Sequence, residues 1–102
     1  MKDWEKLANQ IKEWRRTRNV DNADRQLIHC FEEASEVGRL FLRDVQDKDE
    51  IGMEIGDMFV TTIILSDILD IDPYVCLERA CDKISKRTGK TIKGNFVKSE
   101  DL

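Results

Sequence analysis

Residues 32–36 read Glu32-Glu33-Ala34-Ser35-Glu36, and residues 54–57 read Glu54-Ile55-Gly56-Asp57. Seventeen residues, Val37 to Met53, lie between them. That is enough chain to finish one helix, turn and begin another. The spacing therefore predicts a helical hairpin with one acid cluster on each arm. On a helical wheel Glu33 and Glu36 are about 60° apart, with Glu32 on the far flank of Glu36. All three stand off the middle of their helix's apolar stripe, bordered by Val37 and Leu40. Glu54 and Asp57 share a line with Thr61, Leu65 and Ile68, so two carboxylates enter an otherwise apolar stripe. An ionised carboxylate is not buried without a partner or a metal.

The rest of the chain reads as the bundle around this hairpin. Trp4, Leu7, Ala8, Ile11 and Trp14 repeat at helical spacing and predict a first helix over 2–18, ending in Arg15, Arg16 and Arg18, where cations suit the helix dipole. A turn follows, with Asp21 or Asn22 as cap, and a second helix over 23–45. Its main apolar stripe is Leu27, Phe31, Ala34, Gly38, Phe41, Leu42 and Val45. Asp47 or Asp49 caps a third helix over 50–69. After Asp57 this helix is apolar nearly all round, as expected of a central, buried element. Gly52 and Gly56 lower its intrinsic stability, which predicts close approach of a neighbouring helix or a ligand there. Asp72-Pro73 opens a fourth helix over 73–88 with Leu77, Ala80, Cys81 and Ile84 inward, and Gly89 ends it. A basic tail, 89–102, follows.

A length of 102 residues predicts one domain, 1–102. With 37% charged residues, one proline and five glycines, the composition points to an all-α chain of the four-helix-bundle type with a small core. Such a chain is expected to assemble into a homo-oligomeric helical bundle. No apolar run approaches the roughly 18 residues of a membrane span, and charges at Lys2, Asp3, Glu5 and Lys6 interrupt any leader-like segment. Three cysteines without paired spacing read as free thiols of a reducing compartment, so a cytoplasmic location is expected and no membrane partner.

Charge is segregated. From Glu32 to Asp72 there are twelve acids against three bases, and from Lys83 to Lys98 six bases and no acid. The net charge of −4 argues against general nucleic-acid binding. A small polyanion held between a metal-loaded acid cluster and a basic segment suits the layout better.

Pairs of acids three apart on facing helices would bring four carboxylates to one point. Bare, they would repel and raise each other's pKa. A hard divalent cation removes that cost, and all-oxygen ligation suits Mg²⁺, with Mn²⁺ as the alternative. Glu32 or Glu36 then stands ready to take a proton from an attacking water. The competing readings are a solvated face for Glu32, Glu33 and Glu36, and dipole-favoured first-turn acids for Glu54 and Asp57. No histidine follows either cluster as a di-iron site requires. An EF-hand loop begun at Asp47 would place Ile51 and Met58 at ligand positions. The basic residues have a plain reading as a solvated helix end, Trp4 and Trp14 as core or interface, and His29 as an incidental helix residue.

The two acid motifs, EExxE at 32–36 and ExxD at 54–57, resemble the signature of MazG-like nucleotide pyrophosphohydrolases. The runs Trp14 to Asn19, Lys83 to Lys90 and Gly94 to Lys98 are similar to short single-domain members from bacteria and phages. The resemblance implies an all-α bundle forming a homodimer or homotetramer. It also implies Mg²⁺-dependent cleavage of a nucleoside triphosphate to the monophosphate and pyrophosphate. Carried over by position, Glu33, Glu36, Glu54 and Asp57 correspond to metal ligands, Glu32 and Glu36 to the catalytic carboxylates, Lys83, Arg87 and Lys98 to phosphate contacts, and Trp14 to a substrate contact. Many members carry lysine where this chain has His29. Related enzymes act on phosphoribosyl-ATP, which is the alternative substrate. The rival of a different class is a non-catalytic helical dimer serving as an interaction or regulatory module.

Overall fold

In the computed structural model four helices carry most of the chain: α1 (Trp4–Thr17), α2 (Ala23–Leu42), α3 (Lys48–Ile68) and α4 (Pro73–Ser85). An antiparallel hairpin follows, β1 (Gly89–Ile92) and β2 (Asn95–Lys98), then one 3-10 turn, Ser99–Asp101. The structure describes residues 3–102, so Lys2, where the periodicity starts the first helix, lies outside the described residues.

Local chemistry places each helix start. Every helix opens on an Asp or Asn whose side chain accepts from a first-turn N–H: Asp3 from Lys6 at 2.9 Å, Asn22 from Arg25 at 3.0 Å, Asp47 from Asp49 at 2.9 Å and Asp72 from Tyr74 at 2.8 Å. These caps satisfy N–H groups that no helix can satisfy internally.

The first three helices also end alike. Asn19, Asp44 and Asp70 take left-handed φ values of 55°, 56° and 58°. The next N–H, of Val20, Val45 or Ile71, donates back to the carbonyl of Arg15, Leu40 or Ser66 at 3.0, 2.9 and 2.8 Å. This is the Schellman closure, in which glycine normally fills the left-handed position. Asp44 also puts a negative charge at the negative end of the helix dipole. Asp44→Gly is therefore expected to stabilise the chain by about 0.5–1 kcal/mol, read as a raised urea midpoint at unchanged slope.

α3 is the centre, as its all-round apolar character predicts, but it is not buried all round: of its apolar residues only Ile63 and Ile64 are buried, and Phe59 and the C-cap Leu69 are exposed. α2 lies antiparallel to it: the Gln26 amide donates to the Thr61 carbonyl at 3.1 Å, while Glu33 meets Glu54 and Asp57. α1 runs parallel to α3. The Trp4 ring meets Phe59 edge-on at 6.3 Å, and two to three turns along, Arg15 and Arg16 meet Asp67. Gln26 and Asp67 are buried polar residues, and both are hydrogen-bonded, as burial demands.

Two expectations are corrected, and a third in part. The main apolar stripe of α2 does not face α3: Phe31, Phe41 and Leu42 are 66%, 69% and 87% exposed, and Gln26, Cys30, Glu33, Val37 and Leu40 turn inward instead. The inner stripe of α4 is not covered either, since Leu77, Cys81 and Ile84 are exposed and only Pro73 is buried. Beyond the backbone of its own helix, no atom of the described residues lies within 4 Å of a Cβ built on Gly52 or Gly56, so the chain's own helices do not supply the close approach expected there.

The carboxy-terminal end is not wholly helical. α4 stops at Ser85, and the expected basic tail folds as the hairpin. Lys93 (φ 50°) and Gly94 (φ 82°) make its two-residue turn, both at the positive φ that such hairpins need. At Gly89 a Cβ would collide with the Val97 carbonyl across the ladder, so only glycine fits. No helix among the described residues is long and apolar enough to cross a membrane.

Candidate metal centre

Antiparallel pairing of α2 and α3 keeps a constant register, which sets what faces what. With Gln26 opposite Thr61, Glu33 falls opposite Glu54, and Asp57 stands one turn along the same line. Glu33, Glu54 and Asp57 each offer a carboxylate oxygen, and these oxygens all lie within 4.8 Å of one another. All three residues are half-buried.

Burial comes first in pushing the Glu33 carboxyl above its usual range, followed by the charges of Asp57, Glu54, Glu36 and Glu32. No lysine or arginine is hydrogen-bonded or ion-paired to Glu33, Glu54 or Asp57 among the described contacts. The reading of Glu54 and Asp57 as first-turn, dipole-favoured acids also loses its ground. α3 begins at Lys48 and its first-turn acids are Asp49 and Glu50, whereas the dipole acts within the first turn.

Glu36 stands one turn from Glu33, opposite the start of α3. Its carboxylate accepts from the Arg39 guanidinium at 2.7 Å, with both side chains exposed. A pair this open to solvent contributes at most about 1 kcal/mol. Glu32 points to the other flank, 3.5 Å from His29 Nδ1 and exposed. The structure therefore brings three of the four expected ligands together and leaves Glu36 at their edge.

Beside the cluster lies a cavity of about 580 Å³ to which Glu33 and Asp57 contribute. Its other walls are largely apolar, from Ile11, Trp14, Val20, Val60 and Ile64. This volume is in the range of small-molecule sites, and mainly apolar walls with a few converging polar groups are their usual make-up. Trp14, expected as a substrate contact, is on the wall, and the Arg18 guanidinium stacks over its ring at 4.7 Å. Lys83, Arg87 and Lys98 are exposed and none lines this cavity. The chain's own packing does not carry its basic segment to its acid cluster.

Gln26 and His29 line the same cavity; no motif marks Gln26, and His29 reads by sequence as an incidental helix residue. A signal was present: they lie seven and four residues before Glu33, on the same helical face. No family model, no curated protein and no solved structure matches this chain.

Proposed function

We propose that the chain is a Mg²⁺-dependent nucleotide pyrophosphohydrolase that converts a nucleoside triphosphate to its monophosphate and pyrophosphate, working as a homodimer or homotetramer. The observation that carries this reading is the convergence of Glu33, Glu54 and Asp57, with no cation among the described residues paired to them, at the wall of an apolar cavity. The donor set fits the ion: all ligands are hard carboxylate oxygens, the charge Mg²⁺ or Mn²⁺ takes. Bound there, the ion would supply positive charge to the polyphosphate. The resemblance of both acid motifs to MazG-like enzymes points the same way.

The remaining roles belong to the chain's own groups. The apolar walls with Trp14 receive the base, and the phosphates turn toward the acids. Glu36, whose pair with Arg39 is open to solvent, would complete the set of residues that hold the ion, and it takes the proton of the water that attacks the α-phosphorus. Glu32 is an auxiliary carboxylate at the rim. The bond to the bridging oxygen then breaks and pyrophosphate leaves. Lys83, Arg87 and Lys98 contact phosphate only where assembly brings a basic segment over the cavity.

The uncovered apolar surface of α2 and α4 favours a second reading, a non-catalytic helical interaction module. One experiment separates them. After chelation, a melt with and without Mg²⁺ should show a midpoint raised by an amount equivalent to about 2–3 kcal/mol at roughly 100 times the dissociation constant. A panel of canonical and modified triphosphates, with phosphoribosyl-ATP, should release pyrophosphate and not orthophosphate. A protein indifferent to Mg²⁺ and inert toward every nucleotide is the module.

A further inference from the structure

We infer that the outward stripe of α2 is the seam of a two-fold dimer, with α2 packed antiparallel on the α2 of a second copy about a point beside residue 36. This deepens the oligomeric part of the proposed reading and does not depend on its chemistry.

The first ground is area. The chain exposes 8306 Å², against roughly 6,000 Å² for a monomeric globular protein of its mass. Its radius of gyration is 16.4 Å, where about 13 Å is usual for this length. The excess, roughly 2,300 Å² per chain, is of the order that obligate homodimers hide. Only four hydrophobic residues, Ala8, Leu40, Ile63 and Ile64, are buried among the described residues.

The second ground is the order of residues along the stripe. Ala34 and Gly38 are each two positions from residue 36, and Phe31 and Phe41 are each five. A two-fold axis there sets Ala34 against the partner's Gly38 and Phe31 against the partner's Phe41, each pair made twice. Small residues at the centre let the helix axes come close, and aromatic pairs close each flank. A two-fold interface must be self-complementary in this way. Gly38 supports the same placement. A mid-helix glycine costs about 1 kcal/mol relative to alanine. Beyond the backbone of its own helix, no atom of the described residues lies within 4 Å of where its Cβ would be, so the space that its missing side chain leaves is open to a second copy. The exposed apolar residues of α4, Tyr74, Val75, Leu77 and Ile84, lie in the remainder of the excess area.

Light scattering on the full chain should give twice the 11.9 kDa chain mass. Phe41→Glu and Phe31→Glu should each weaken the dimer by at least roughly 100-fold, with helical circular dichroism retained. Because those variants risk unfolding, a cross-link provides the second readout. In a Cys30→Ser, Cys76→Ser, Cys81→Ser background, Ala34→Cys with Gly38→Cys should oxidise to a covalent dimer, and Ala34→Cys alone should not. A monomer mass, a folded Phe41→Glu dimer of undiminished affinity, or failure of the paired cysteines to join would each overturn the seam. A dimer inert toward nucleotides leaves the seam standing and removes only the enzyme reading.

Discussion

Asp57→Asn is expected to abolish Mg²⁺-dependent pyrophosphate release while leaving the fold intact. The substitution keeps the shape of the side chain and removes one of three charges gathered within 4.8 Å. A ligand that holds the ion is worth several kcal/mol of charge stabilisation, so kcat/KM should fall on the order of 10³ or more. The stability readout separates this from simple damage. In the metal-free protein Asp57 is a source of repulsion that helps push the Glu33 carboxyl up. Asp57→Asn should therefore melt no lower than the parent without metal, and should lose the upward shift that Mg²⁺ gives the parent. Melting lower without metal, or keeping the Mg²⁺ shift, would count against the three-carboxylate site. Glu54→Gln is expected to behave the same way.

The largest loss of stability is expected at Asp67. Its side chain is only 7% exposed and receives a fork of guanidinium donors: Arg15 Nε at 2.8 Å, Arg16 Nε at 3.0 Å and Arg16 Nη2 at 2.7 Å. Arg15 also donates to the Asp67 and Val20 carbonyls, so one cluster ties α1, its closing turn and α3 together. Removing one partner of such a cluster strands charge in a buried place, which costs about 3–5 kcal/mol. Asp67→Ala should therefore lower the melting midpoint on the order of 15 °C. Arg16→Ala should cost far less, because its side chain is 61% exposed.

Asp67 also predicts a pH dependence. Burial alone would raise its carboxyl, but the hydrogen bonds and charges of Arg16 and Arg15 outweigh it and hold the pKa below the usual 3.8. A carboxyl lowered on folding stabilises the chain above its unfolded pKa, and that stabilisation is lost as pH falls through the folded value. The loss should thus appear below pH 3.8 and be missing in Asp67→Asn. Glu33 acts with the opposite sign. Raised on folding, it disfavours the metal-free fold as pH rises above the ordinary carboxylate range, so chelated protein should gain stability on mild acidification before Asp67 takes it away. Urea midpoints between pH 3 and 7 on parent and Asp67→Asn measure both.

Much of the helical framework was legible because it is local. Asp or Asn before each helix, Pro73 at the start of the fourth and the apolar periods between them act within one or two turns, and all four helices stand where that chemistry puts them. The pairing of Glu33 with Glu54 and Asp57 was legible too, since a short turn forces neighbouring helices antiparallel. The β-hairpin leaves little trace in the sequence because its strands are four residues each and carry no long alternation. Its one clear mark was Lys93-Gly94 flanked by Thr91-Ile92 and Phe96-Val97. Asp67 was invisible as an anchor, since nothing within four residues of it names Arg15 and Arg16, more than fifty positions away.

Periodicity tells which side of a helix is apolar and says nothing about which body covers it. From Leu27 to Leu42 the pattern named a stripe correctly as apolar, and only the packed chain shows that α3 takes the other side, with Gln26, Glu33 and Leu40. The reason is range. Helix starts, helix ends and the spacing of the acids are set by neighbours a few residues apart and can be read in order along the chain. The inward side of α2, the clasp at Asp67 and the separation of the basic arm from the acid cluster depend on how much surface whole helices hide together, and that exists only once they are packed.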